Sequence, residues 1–126
     1  MTLVPSFYRA TIGKKVVMAV TGIILAGWVL GHLAGNLLAY AGRDAFNAYA
    51  AALKGSAAFL WSVCIGGLLV VSLHIIAATQ LVLQERRSRP VAYRKKAPQA
   101  ATYASRSLRW GGVLIAVFVV YHLLHF

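Results

Sequence analysis

Acidic residues are scarce in this chain of 126 residues, in which Asp44 and Glu85 stand against thirteen lysines and arginines. Neither acid lies within a long apolar run, so a hydrolase triad or a carboxylate proton relay would lack its acidic member there. A zinc site would lack a third or fourth ligand near the histidines. The single cysteine, Cys64, excludes an intrachain disulfide. These absences argue against an enzyme that is catalytic by itself.

The excess of basic residues gives a formal net charge of +11, which is compatible with nucleic-acid binding. The basic residues, however, lie in the segments between long apolar runs rather than along one polar face. We therefore expect no nucleic-acid partner, and we expect these segments to flank a membrane.

Three apolar runs dominate the sequence, of which 60% is hydrophobic and only 12% charged. Residues 16–40 and 59–83 are runs of 25 residues without a charged side chain, and residues 110–126 form a run of 17. About 20 apolar residues cross the hydrocarbon core as a helix, and backbone groups in lipid must pair internally. The sequence therefore predicts an all-α transmembrane helical bundle with three spans, forming a single membrane-anchor domain over residues 1–126.

The connections between these runs differ in charge, which predicts the orientation. The N-terminal segment carries Arg9, Lys14 and Lys15, whereas the first connection holds only Arg43 and Lys54. The second connection carries Arg86, Arg87, Arg89, Arg94, Lys95, Lys96, Arg106 and Arg109. The positive-inside rule then places the N-terminus and the second connection in the cytoplasm. The first fifteen residues contain no apolar core, so we expect no cleavable signal peptide.

The first connection contains the segment DAFNAYAAAL, which has helical periodicity. Asp44 is in a position to cap a short helix, and Phe46, Tyr49 and Leu53 recur at helical spacing. We expect this helix to lie in the membrane interface at the outer side.

All four histidines lie inside the apolar runs: His32 in the first, His74 in the second, and His122 and His125 in the third. Ionisable side chains at membrane depth are rare and usually functional, although any one of them can be a structural hydrogen-bonding group. Haem suits this pattern, because a neutral imidazole offers one nitrogen to iron while its other N–H bonds a backbone carbonyl one turn back.

Small residues accompany these histidines and would leave room for a porphyrin or simply for close helix packing. Gly27, Gly31 and Gly35 form a ridge beside His32, Gly66 and Gly67 precede His74, and Gly111 precedes His122. Counted from the nearest basic residues, His32, His74 and His122 lie about 25, 18 and 20 Å deep at the helical rise of 1.5 Å per residue. Depth alone leaves the pairing open.

Several motifs in chain order resemble the membrane-anchor subunit of succinate dehydrogenase and fumarate reductase. They are SFYRATIGKKVVMAVTG, GHLAGNL, DAFNAYA, LHIIAATQL, YASRSLRWGG and YHLLHF. The resemblance covers nearly the whole chain and is strongest to the single-chain, dihaem cytochrome b558-type anchor of succinate:menaquinone oxidoreductases.

This resemblance implies five membrane helices that hold two haem b groups, with three helices present here. His32, His74 and His122 match three of the four axial ligands, so that His32 and His122 would share one haem iron. The partner of His74 would lie outside this chain, and His125 has no assigned role. We expect either a partial chain or an anchor completed by another chain.

The function implied by the resemblance is electron transfer in the respiratory chain and the tricarboxylic acid cycle. The anchor would lie in the inner (cytoplasmic) cell membrane. It would receive electrons from the iron–sulfur subunit, which the flavoprotein subunit reduces, and pass them to a quinone of the menaquinone type. The basic residues at the helix ends are candidates for contacts with haem propionates or lipid phosphates, or serve only to set topology: Lys14, Lys15, Arg106 and Arg109. Weaker candidates for propionate or quinone contacts are Tyr103 and Ser105. The alternative is a haemless anchor or docking subunit with structural histidines, and a small transporter or channel subunit is disfavoured because the spans lack a polar stripe.

Overall fold

The computed structural model describes residues 7–88, 91 and 101–125, which form helices and no strands within those ranges. Helix α1 spans Thr11–Leu37 and continues as a 3-10 turn over Leu38–Ala41. It is followed by α2 (Arg43–Lys54), α3 (Ala57–Ser88) and α4 (Tyr103–His125). The all-α class predicted from the sequence is confirmed.

Three helical segments are long and apolar enough to cross a membrane: Thr11–Ala41, Ala57–Ser88 and Tyr103–His125. Each contains one of the predicted spans, except that Phe126, the end of the third, lies outside the described residues. Arg89, Arg94, Lys95 and Lys96 of the second connection also lie outside them. Almost none of the apolar surface of these segments is buried inside the chain, which is the pattern of helices that face lipid or other subunits.

The chain divides into two compact units, residues 1–90 and 91–126. The first contains α1, α2 and α3, and the second contains α4. The prediction of one membrane-anchor domain over the whole chain stays a prediction.

Within the first unit, α1 and α3 pack antiparallel. Lys14 near the start of α1 bonds Gln84 near the end of α3, and Thr21 bonds His74 about two turns further along α1. Small side chains allow this approach: Ala77 is fully buried and Thr21 is 6% exposed. The basic residues at the start of α1 and at the end of α3 therefore lie at one end of the pair, and α2 lies at the other.

Helix α2 is amphipathic, as the sequence predicts, and it packs beside the C-terminal end of α1. Phe46, Tyr49 and Leu53 are half-buried on one face, while the neighbouring Asn47 is exposed. The helix follows Gly42, whose φ of 108° is accessible to glycine but costly for other residues. The prediction that Asp44 caps this helix is wrong: the helix begins at Arg43, so Asp44 lies within the first turn, where its charge favours the helix dipole without a side-chain cap bond.

Helix α4 begins seven residues before the predicted span, because Thr102 provides an N-terminal cap. The Ser105 backbone N–H donates to the Thr102 hydroxyl at 3.2 Å, and the Ser105 hydroxyl donates to the Thr102 carbonyl at 2.9 Å. Arg106 and Arg109 consequently lie in the first two turns of the helix rather than in a loop. The helix of 23 residues is long enough to cross the hydrocarbon core.

Candidate haem-ligating histidines

His74 on α3 is held against α1 by a hydrogen bond between helices. Its Nδ1 lies 2.9 Å from the Thr21 hydroxyl oxygen, and its ring packs beside Gly22, where an added Cβ would lie 3.4 Å from Cε1 of the imidazole. Thr21 is buried and His74 is half-buried. The position of this imidazole is therefore set by two helices rather than by its own helix alone.

The hydrogen bonds of Thr21 favour one tautomer of His74. The threonine hydroxyl has one hydrogen, and two carbonyl oxygens of its own helix compete for it, Val17 at 2.7 Å and Met18 at 3.1 Å. The hydroxyl oxygen is then left to accept from Nδ1–H of His74. In the neutral imidazole this assigns the free lone pair to Nε2, the nitrogen that a metal would bind.

Within the described residues, no hydrogen bond involves Nε2 of His74. The ring of His74 bonds a side chain of the neighbouring helix rather than a backbone carbonyl one turn back, which is another partner that suits a ligand histidine. Thr21 was missed by the sequence analysis, although it is a threonine within an otherwise apolar run.

His32 lies near the C-terminal end of α1 in a different setting. Its ring stacks on Trp28, one turn earlier, with centroids 4.8 Å apart and planes 11° apart. The side-chain amide of Asn36 donates to the His32 carbonyl at 2.7 Å. His32 also lines a cavity of about 180 Å³ between α1 and α2, together with Gly35, Asn36, Phe46, Tyr49, Ala50 and Leu53.

The packing of α1 on α3 fixes the relative depth of His32 and His74, which the sequence alone left open. His74 lies level with Thr21, and His32 is eleven residues further along α1. At 1.5 Å per residue, the two histidines are separated by about 16 Å along the axis of α1. The two axial imidazoles of one iron face each other across a single porphyrin, so His32 and His74 are too far apart in depth to ligate the same iron.

His122 and His125 lie in the last turns of α4, and each stacks on an aromatic ring one turn earlier. The Phe118 and His122 centroids are 5.6 Å apart, and the Tyr121 and His125 centroids are 5.4 Å apart. His122 is half-buried within its unit and His125 is exposed. An aromatic residue thus precedes three of the four histidines by four positions, a spacing that restrains the imidazole ring from one side.

The glycines near the histidines behave in two ways. At Gly27, Gly31, Gly66, Gly67 and Gly111, an added Cβ would meet no atom of the described residues within 4 Å. Gly35 differs from the rest of the predicted ridge, because its missing side chain accommodates Tyr49 of α2. In the glycine ridge of α1, Gly27 and Gly31 are therefore open, whereas Gly35 packs against α2.

Within residues 7–88, 91 and 101–125, no group of three or more histidine, cysteine or acidic side chains is arranged to hold a metal ion. Haem ligation needs only one or two protein ligands for each iron, so a haem site does not depend on such a group. No protein-family model, curated protein or solved structure matched the chain.

Proposed function

We propose that this chain is a haem b-binding membrane anchor of a succinate:quinone oxidoreductase, which passes electrons between an iron–sulfur subunit and membrane quinone. The observation that carries the proposal is the bond between His74 and Thr21, which holds an imidazole within an apolar span while its Nε2 makes no hydrogen bond to a described residue. A bond to the second ring nitrogen is the usual means by which a protein orients a ligand histidine and raises its basicity.

The depth of the histidines supports two haem levels rather than one. His32 and His74 differ in depth by about 16 Å at the helical rise, so each would serve a different iron. The ligand assignment then follows the resemblance: His32 with His122 on one iron, and His74 with a histidine outside this chain on the other. His125 is left without a ligand role.

The residues of this chain would bind, orient and shield the cofactor. Bound haem supplies one-electron transfer, and its potential responds to the axial ligands and to the surrounding dielectric. His74, held by Thr21, would be one protein ligand of the iron, and the apolar side chains of α1 and α3 would exclude water from it. The open glycine positions beside His32 and His74 would let a flat macrocycle approach the helix backbones.

The membrane assignment agrees with this function. The three apolar helices indicate a multi-pass membrane protein. We propose the inner (cytoplasmic) membrane with the N-terminus in the cytoplasm, where the basic connection would face the soluble iron–sulfur and flavoprotein subunits. The quinone would be of the menaquinone type, as in the family that the motifs resemble.

A haem assay with three matched histidine variants tests the proposal. Protein purified from haem-supplied membranes should show the absorption bands of low-spin haem b and a positive pyridine haemochrome. His32→Ala and His122→Ala should each abolish the haem that they share, because loss of one axial imidazole removes half of the protein's bonds to iron. His125→Ala, three residues further along the same helix, should retain it.

The outcome for His74 separates the two irons. His74→Ala should leave the haem of His32 and His122 in place and should remove only the second haem of the completed anchor. A protein that contains no haem under any of these conditions would contradict the proposal. Equal loss in the His125→Ala variant would contradict the ligand assignment.

The alternative is a haemless anchor, and the bond between Thr21 and His74 also favours it. A hydrogen bond between membrane helices can serve packing alone, with a contribution of about 0.6 kcal/mol on average. In that case the purified protein would be colourless, and His74→Ala would weaken the packing of α1 on α3 without any spectral effect.

A further inference from the structure

We infer that the basic end of the α1–α3 pair contains a binding pocket for the headgroup of an anionic glycerophospholipid. A cavity of about 270 Å³ lies between the two helices there, lined by Lys14, Gln80, Leu83, Gln84 and Arg87. This pocket is about two turns from the bond between Thr21 and His74, and it does not depend on whether the chain binds haem.

The lining of the pocket combines two cations with two amides. Lys14 comes from α1 and Arg87 from α3, so their charges converge from different helices. Neither of the two acids in the chain lines the cavity. An ammonium and a guanidinium around one cavity suit a phosphoryl group, whose oxygens accept charge-assisted hydrogen bonds.

Lys14 is already oriented by a short chain of hydrogen bonds. Its ammonium donates to Gln84 Oε1 at 3.4 Å, and Gln84 Nε2 donates to the Thr11 hydroxyl at 2.8 Å. Lys14 and Gln84 are both half-buried. An ammonium held in this way loses less side-chain freedom on binding an anion than a freely moving surface lysine would.

The side-chain amide of Gln80 indicates a second chemical group of the ligand, a hydrogen-bond donor. Its Oε1 is buried and has no hydrogen-bond partner in the described part of the chain. A buried acceptor without a partner is costly, so an occupant whose donor reaches Oε1 after a small rotation of the Gln80 side chain is favoured. A headgroup that carries hydroxyl groups next to its phosphate, as phosphatidylglycerol does, supplies both the anion and the donor.

The surroundings favour a lipid over free inorganic phosphate. Leu83 is 46% exposed at the rim of the cavity, and the apolar faces of α1 and α3 extend from there along the membrane. Acyl chains of a bound lipid would cover those faces while its headgroup enters the pocket. Free phosphate would gain nothing from them.

The test is lipid binding to the purified full chain by native mass spectrometry in detergent, with dioleoylphosphatidylglycerol as the probe. Lys14→Gln and Arg87→Gln should each weaken binding by about tenfold, the loss typical of one charge-assisted contact. Arg9→Gln and Arg86→Gln are the matched controls, since each removes one positive charge near the same end of the pair without changing the pocket lining, and they should change binding little.

Two further arms identify the occupant. Gln80→Leu should reduce the preference for dioleoylphosphatidylglycerol over dioleoylphosphatidylcholine, because the leucine removes the acceptor that the headgroup hydroxyl would satisfy. Millimolar inorganic phosphate should fail to displace the lipid, and helix content should be unchanged in Arg87→Gln.

Three results would overturn the inference. Equal losses in the pocket and control variants would indicate a general surface potential rather than a site. Displacement by inorganic phosphate would indicate a phosphate site instead of a lipid site. A change in the haem spectrum of the Lys14 and Arg87 variants without a change in lipid binding would assign these residues to a haem propionate.

Lipid binding by a haem-free protein would support this inference even if the proposed function failed.

Discussion

Thr21 carries two kinds of contact through a single hydroxyl group. The hydroxyl donates to a carbonyl of α1 and lies 2.9 Å from Nδ1 of His74 on α3, so one side chain joins the local hydrogen bonding of a helix to the packing of two helices. Because the hydroxyl has a single hydrogen and donates it within α1, the bond favours the His74 tautomer that is protonated on Nδ1.

Replacing Thr21 should separate its hydrogen bond from its volume. Thr21→Val keeps the shape and removes the acceptor, and we expect the α1–α3 packing to lose about 0.6–1 kcal/mol of stability. Thr21→Ser restores the hydroxyl and should recover most of it. The measurement is unfolding in mixed micelles with increasing dodecyl sulfate.

Thr79→Val is the control for this series, because Thr79 is an exposed threonine of the neighbouring turn of α3. It should have little effect. If Thr21→Ser were as destabilising as Thr21→Val, the hydroxyl would not be the source of the effect. In haem-loaded protein with the second haem present, Thr21→Val should also shift the midpoint potential of that haem.

At the scale of elements, α2 packs closely against α1 at Gly35. A Cβ on Gly35 would lie 2.5 Å from the Tyr49 hydroxyl oxygen and 2.9 Å from two ring carbons. The tyrosine ring therefore occupies the space that a side chain at position 35 would need. This contact holds the amphipathic helix beside His32 and forms one wall of the cavity between α1 and α2.

Gly35→Ala should displace α2, and we expect a cost of about 1–2 kcal/mol from overpacking. In a Tyr49→Ala background the same substitution should cost much less, since the clashing ring is gone. The double-mutant cycle is measured by the same unfolding assay. Gly66→Ala, where an added Cβ meets no described atom within 4 Å, is the control and should be nearly neutral.

At the scale of the whole molecule, the apolar surface is turned outward. The helices are long enough to cross a membrane, yet at most 6% of any membrane window is buried inside the chain. Lipid or other helices must cover this surface, because so large an apolar area is unfavourable in water. Charge then decides which end of each helix faces which side.

The predicted orientation can be measured with single cysteines. In a Cys64→Ser background, Asn47→Cys on the exposed face of α2 should react with a membrane-impermeant maleimide added from outside intact cells. Val91→Cys should react only after the cells are opened, because the positive-inside rule places the second connection in the cytoplasm. Reversed labelling of these two positions would contradict the proposed topology.

The sequence by itself determined that the protein is an all-α membrane protein and which residues form its apolar runs. Uninterrupted apolar runs permit only helices in lipid, and helical spacing of Phe46, Tyr49 and Leu53 was enough to identify the half-buried face of α2. Both features are local, because backbone pairing and amphipathic periodicity are settled within one segment. The apolar run alone does not show where α4 starts, because polar residues extend the helix back to the cap at Thr102.

The tertiary structure decided which polar groups meet. Depth counted from flanking charges could not rank His32 against His74, since the point at which a helix enters the membrane is uncertain by several ångströms. The contact between Thr21 and His74 aligns α1 with α3 and resolves that order. A hydrogen bond between residues 53 positions apart depends on the register of two packed helices, which no pattern within either helix contains.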